Sequence, residues 1–99
     1  MDLNPLEMEF QDRAVRRGGV ILFAAQDALE LVKRAREERV RVLGIDGFFL
    51  TGDGGTQPSM RHSIDLSNTT HRDLDSWTAA ESFLKENAHF NLYFEVVMA

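Results

Sequence analysis

No cysteine occurs in this chain. Disulfides, thiolate metal sites and cysteine nucleophiles are therefore excluded, and a reducing compartment fits. Long apolar runs are also missing. The longest, Val20 to Ala25, falls far short of a bilayer span. The opening stretch, MDLNPLEMEFQD, is acidic where a secretion signal would be basic. Positive charge is in deficit, with a formal net charge of −5, which opposes the phosphate neutralisation that nonspecific nucleic-acid binding requires. No HxH, HExxH or GxSxG pattern is present, and Gly52-Asp53-Gly54-Gly55 lacks the Lys-Ser/Thr of a phosphate loop. These absences set the first expectations: a soluble cytoplasmic protein with no metal, no cofactor, no nucleic-acid partner and no membrane contact.

The 99 residues are 43% apolar and 27% charged, the balance of one globular domain spanning 1–99. Basic residues gather at Arg13, Arg16 and Arg17 and again at Lys33, Arg34, Arg36, Arg39 and Arg41. No aromatic residue is interleaved to stack on bases, so these clusters read as the C-terminal turns of helices.

The chain divides into seven segments. Asn4, Pro5 and Glu7 carry the residue types of a capping box with proline at the first helical position, and Leu3 and Met8 have the spacing of a hydrophobic staple. With Leu6, Phe10 and Ala14 at helical spacing and Gly18 as a C′ residue, a helix is predicted over 5–17. Val20 to Phe23 reads as a short buried strand, although a helix running from there to Glu38 has a consistent stripe of its own. A helix over Ala28 to Glu38 follows, preceded by Asp27 as a start signal.

Val40 to Leu50 is a long strand with apolar residues on both parities. Glycines flank Asp46, and a bulge at that point would switch the faces. Thr51 to Pro58 is a glycine-rich loop, long enough to close over a site. Ser59 to Leu66 alternates, with Met60, His62, Ile64 and Leu66 on the core side and Ser59, Arg61, Ser63 and Asp65 on the polar side. After the polar connection Ser67 to Arg72, a helix starts at Asp73 or Asp75, carries the pair Glu81/Lys85 and stops near Asn87. Asn91 to Met98 closes the chain as a strand. The order after the first helix is βαββαβ. The expected fold is therefore α+β: a four-stranded antiparallel sheet in ferredoxin-like order, with an extra N-terminal helix. Such a sheet leaves one face open, where Arg61, Ser63, Asp65, Tyr93, Glu95 and Val97 would lie.

The candidate site residues are Asp46, His62, Asp65 and Tyr93. Asp46 and Asp65 form a possible carboxylate pair for acid–base chemistry, if their strands meet. His62 and His71 are the imidazoles nearest to that pair in sequence. A Ser67-His62-Asp65 trio can be written down, but His62 and Asp65 alternate to opposite faces. Structural roles account for the same residues: Asp46 at a bulge, Asp53 in a turn, Asp73 or Asp75 at a helix cap, His62 in the core and Trp77 as a core anchor. With no catalytic motif, the leading expectation is a non-catalytic interaction module, for instance an inhibitor or immunity-type protein for a basic partner. The alternatives are self-association through the open face, as a dimer, and a small-molecule-binding domain or enzyme with its pocket near Asp46, His62 and Asp65.

Overall fold

A computed structural model describes residues 4–67 and 75–99. Its elements are α1 (Pro5–Glu9), a 3-10 turn (Gln11–Arg13), β1 (Val15–Arg17), β2 (Val20–Ala24), α2 (Ala25–Glu37), β3 (Val42–Leu50), β4 (Thr56–Asp65), α3 (Ser76–Glu86) and β5 (Leu92–Met98). The class is α+β, with one five-stranded antiparallel sheet in the order β1-β2-β5-β3-β4. None of the helices among the described residues is long and apolar enough to cross a membrane.

The first correction concerns the helix expected over 5–17. Its start is as anticipated: Asn4 Oδ1 accepts from Glu7 N at 2.8 Å, and Glu7 Oε1 accepts from Asn4 N at 3.2 Å. Leu3, and with it the staple, lies outside the described residues. The helix ends at Glu9 once Leu6 and Phe10 have reached the core, where the Phe10 ring meets Phe23 edge-on at 6.4 Å. The chain then becomes extended and pairs Val15 with Leu22 and Arg17 with Val20. That register leaves Gly18-Gly19 as a two-residue hairpin turn, with φ at +56° and +82°. Positive φ at both central residues is what a type I′ turn demands, and glycine supplies it without strain. The same glycine signal marks helix ends, which is why the hairpin passed for one.

The short strand at Val20 is present. The helix after it starts earlier than expected, at Ala25, with no side-chain cap. Asp27 lies in its first turn and binds Arg13 at 3.1 Å. Ala28, Leu31, Val32 and Ala35 give α2 its buried stripe. On its other side Arg34 forks onto Glu9 at 2.8 and 2.9 Å, and Arg36 grips Asp75 at 3.0 and 3.1 Å. Asp75 also caps α3 by accepting from Thr78 N, while Asp73 lies outside the described residues. Trp77 anchors the same helix through Nε1 to Val40 O at 2.8 Å, and Glu81 is taken by Arg36 at 3.3 Å.

The second correction is the sheet. Five strands form, not four, and the ferredoxin-like order is not seen: β5, rather than β4, lies between β2 and β3. Burial explains the placement. β5 buries Leu92, Phe94 and Val96, and β3 is apolar on both sides, so both suit the interior of the sheet. β4 exposes Gln57, Pro58, Met60, Arg61 and Asp65 and takes the edge, where Pro58 need not donate to a ladder.

The irregularities also fall differently. Asp46 pairs regularly with Glu95, between Ile45↔Val96 and Gly47↔Phe94. The break lies on the other side of β3, where Ile45 faces Ile64 and Gly47 faces Ser59. Asp46 alone therefore stands against Met60, Arg61, His62 and Ser63, and β4 carries the bulge. The face switch within β3 occurs lower down, between Val42↔Met98 and Gly44↔Val97, where Leu43 is the extra residue.

Alternation assigns the two faces. Phe23, Ile45, Phe94 and Val96 pack with α2 and α3 in the main core. The opposite face carries Asp46, Phe48, Tyr93, Glu95 and Val97. Part of it is closed by the β1–β2 hairpin: Arg17 Nη1 donates to Thr51 O and Gly55 O, each at 3.2 Å, and Leu22 is fully buried although it stands apart from the main core cluster.

Candidate docking face

The loop expected over Thr51 to Pro58 is a compact turn ending at Gly55. Thr51 N donates to Gly55 O at 3.1 Å, and Asp53 Oδ1 accepts from Gly55 N at 3.1 Å and from Thr51 Oγ1. These bonds hold the Asp53 carboxyl below its ordinary range, the Thr51 hydroxyl contributing most. Arg17 ties the turn down, so it does not reach over the candidate residues.

What lies beside Asp46 instead is an open concavity of about 570 Å³. Leu43, Met60, Ile64 and Val97 supply apolar walls, while Asp46 and Asp65 supply carboxylates. The β4 bulge shapes it. Gly47 N–H loses its regular ladder partner there and donates to Ser63 Oγ at 3.1 Å, and Ser63 Oγ donates to Ser59 O at 2.8 Å. Met60 is consequently 86% exposed, against its expected place in the core, because the bulge ends the alternation on which that expectation rested.

The four site candidates separate. Asp46 and Asp65 line the same concavity. Asp65 Oδ1 accepts from Ser67 Oγ at 2.6 Å and Ser67 N at 2.9 Å, and these bonds hold its carboxyl below the ordinary range. His62 points elsewhere: Nδ1 lies 2.8 Å from Ser59 Oγ, and the ring is edge-on to Phe49 at 5.8 Å. The trio Ser67-His62-Asp65 is therefore not assembled. Tyr93 is half-buried on the face of Glu95, beside Phe48 and Ala24, outside the concavity. His71, the other imidazole near the Asp46/Asp65 pair in sequence, lies outside the described residues. Among the described residues no three acidic or imidazole groups are placed to hold an ion.

The residue that sequence reasoning passed over as a site member is Glu95. It stands directly across from Asp46, and like charges in that position repel. Burial, then Asp46, then Glu7 push its carboxyl above the ordinary range. Alternation along β5 already puts Glu95 on the open face, but its opposition to Asp46 appears only once β5 is known to neighbour β3. The helical side differs: Arg13 there pairs with Asp27 and Glu30, Arg34 with Glu9, Glu37 and Glu38, and Arg36 with Asp75 and Glu81.

Comparison with protein-family models, with curated proteins and with solved structures returns no match for this chain. The site stands on its geometry alone.

Glu95→Gln is expected to raise stability at pH 7 by ~0.5 kcal/mol, the scale of a cross-strand like-charge pair. The sign follows from the raised carboxyl. The folded state holds this proton more tightly than the unfolded chain. The penalty is absent below the unfolded value, grows as pH rises through the folded value and is complete above it. Urea unfolding at pH 4 and pH 7 checks this. A variant that gains nothing at pH 7 relative to pH 4 would mean that neither burial nor Asp46 penalises the Glu95 charge.

Proposed function

We propose that this chain is a non-catalytic binding module that docks a basic protein partner on the sheet face opposite its helices. The observation that carries this reading is the pair Asp46 and Glu95, like charges set opposite each other beside exposed Met60 and Val97. A fold does not gain from such a pair; a cationic partner does, through steering and complementarity. Apolar residues beside the charges supply the area that a docked surface needs. An inhibitor or immunity-type protein covering a basic enzyme surface is the specific form of this reading. Self-association through the same face brings Asp46 and Glu95 of two copies together, so the charges oppose a dimer at neutral pH. A cysteine-free acidic module suits the cytoplasm, which we include in the proposal.

The test is photo-crosslinking from position 60 or 97 in the host cell, with a control probe at the exposed Gln26 on α2. The expected product is a cross-link to a basic protein from 60 and 97 that disappears in Asp46→Lys/Glu95→Lys. Equal cross-linking from Gln26, or products untouched by charge reversal, would overturn the proposal.

A further inference from the structure

The docking face has enough detail to specify the chemical group it receives, an inference that rests on the reading above. Two carboxylates directly opposite each other on adjacent antiparallel strands have Cβ atoms only about 4.5–5.5 Å apart, so both can reach one cation between them. Asp46 forms no ion pair or side-chain hydrogen bond among the described residues. Asp65 spends Oδ1 on Ser67. Arg41 is a cation close to the rim, and it donates to Leu66 O and Ser67 O.

The occupant must therefore bring positive charge. A nucleic acid or an anionic membrane brings the wrong sign, and so does a second copy of this face. A bare metal ion needs three or more converging ligands, which the described residues do not provide. The apolar walls, with Met60 and Val97 exposed, ask for a cation on a long aliphatic stem, which narrows the choice to lysine or arginine. A guanidinium presents donors along two edges of one plane, is weakly hydrated and stays charged at every relevant pH. An ammonium is compact and strongly hydrated and loses more on entering a half-buried site. We infer that the partner inserts an arginine here, its guanidinium held by Asp46 and Glu95 and its stem lying against Met60 and Val97.

The charged groups around this position are Asp46 of β3 and Asp65 of β4, which line the concavity, Glu95 of β5 across from Asp46, Glu7 of α1, which acts on Glu95, and two cations, Arg61 in the β4 bulge and Arg41 near the rim. Burial, then Asp46, then Glu7 raise the Glu95 carboxyl. Binding a cation must then expel any proton held there, so occupancy weakens as pH falls toward the carboxylate range.

The probe is N-acetyl-arginine N-methylamide, titrated against the isotope-labelled protein by NMR at pH 7 and pH 5. The lysine and citrulline analogues serve as controls, citrulline being the neutral counterpart of arginine. Saturable shifts at residues 43–46 and 95–97 are expected for arginine, smaller affinity for lysine and no response to citrulline. Glu95→Gln should weaken arginine binding about tenfold, the loss of one charge-assisted hydrogen bond. Acidification should weaken it as well, and less so in that variant. The dispersion of the variant's spectrum shows that it remains folded. Equal responses to arginine and citrulline, parity between arginine and lysine, or shifts confined to the helical face would each overturn the inference. The two proposals fail separately. Charge-sensitive cross-links without an arginine response leave the docking reading standing and remove the arginine. An arginine response without cross-links keeps the guanidinium site and removes the protein partner.

Discussion

Gly47→Ala is expected to cost about 3 kcal/mol, the upper end of what overpacking a tight site costs. A Cβ at Gly47 would lie 2.3 Å from His62 O and 2.9 Å from His62 Cβ. The nearer atom is backbone, so no rotamer change relieves the clash. The β4 bulge would have to lift, and lifting it strains the bonds that Ser63 Oγ makes with Gly47 N and Ser59 O. For a domain of this length the loss corresponds to a fall in Tm of roughly 15 °C. Gly52→Ala is the control: nothing lies within 4 Å of its Cβ position, and a change within about 0.5 kcal/mol is expected. Thermal and urea unfolding followed by circular dichroism compare the two. If both variants unfold alike, the bulge does not lie over Gly47. Met60, whose exposure depends on the bulge, would then lose its place beside Asp46.

That glycine shows where the sequence was legible and where it stopped being so. Glycine in an apolar strand announces a close approach of other backbone, and the approach is there. Which chain approaches depends on register, and register depends on residues far away in sequence. An extra residue at Asp46 was the local reading. The structure instead gives Asp46 a regular partner in Glu95 and puts the surplus residues in β4. The capping box at Asn4 and the cap at Asp75 were legible for the opposite reason, because each is completed within three residues. The helix over 5–17 failed between these extremes. Its capping box and first-turn proline were local and are present, but its end was set by a hairpin whose glycines carry the same conformational signature as a helix terminus.

The candidate site divides along the same line. Asp46 and Asp65 flank one concavity because β3 and β4 are joined by a short turn, and adjacent strands with a turn signal between them are readable. Alternation sets His62 on the face opposite Asp65, and the structure keeps it out of the concavity, against Phe49 and Ser59. Glu95 carries the strongest electrostatic conflict on the face, and it escaped notice because its neighbour is contributed by a strand that begins more than forty residues earlier. Pairing across such a separation is fixed by how the whole sheet buries its apolar residues, not by any window of sequence.

Phe94→Ala tests that sheet order at its centre, and its expected cost is about 4 kcal/mol. Phe94 is fully buried. It stands opposite Phe23 on β2 and Gly47 on β3, with the Phe83 ring of α3 edge-on at 6.0 Å. Gly47 has no side chain to spread into the space that a lost ring would leave, and its own environment is already filled by the backbone of His62. The cavity should therefore collapse poorly, which puts the cost in the upper part of the large-to-small range. Marginal stability makes this decisive, since a domain of this size has only about 5–15 kcal/mol in total. Phe94→Leu keeps much of the volume and is expected to lose less than about half as much. Phe90→Ala removes the same group from a side chain that is 90% exposed, and should change stability by no more than about 0.5 kcal/mol. Urea unfolding of the three variants, with slopes compared to confirm a common two-state transition, gives the ranking directly. A Phe94→Ala variant as stable as Phe90→Ala would place β5 away from the centre of the sheet. Asp46 and Glu95 would then no longer be neighbours, and the docking face would lose the charge pair on which it rests.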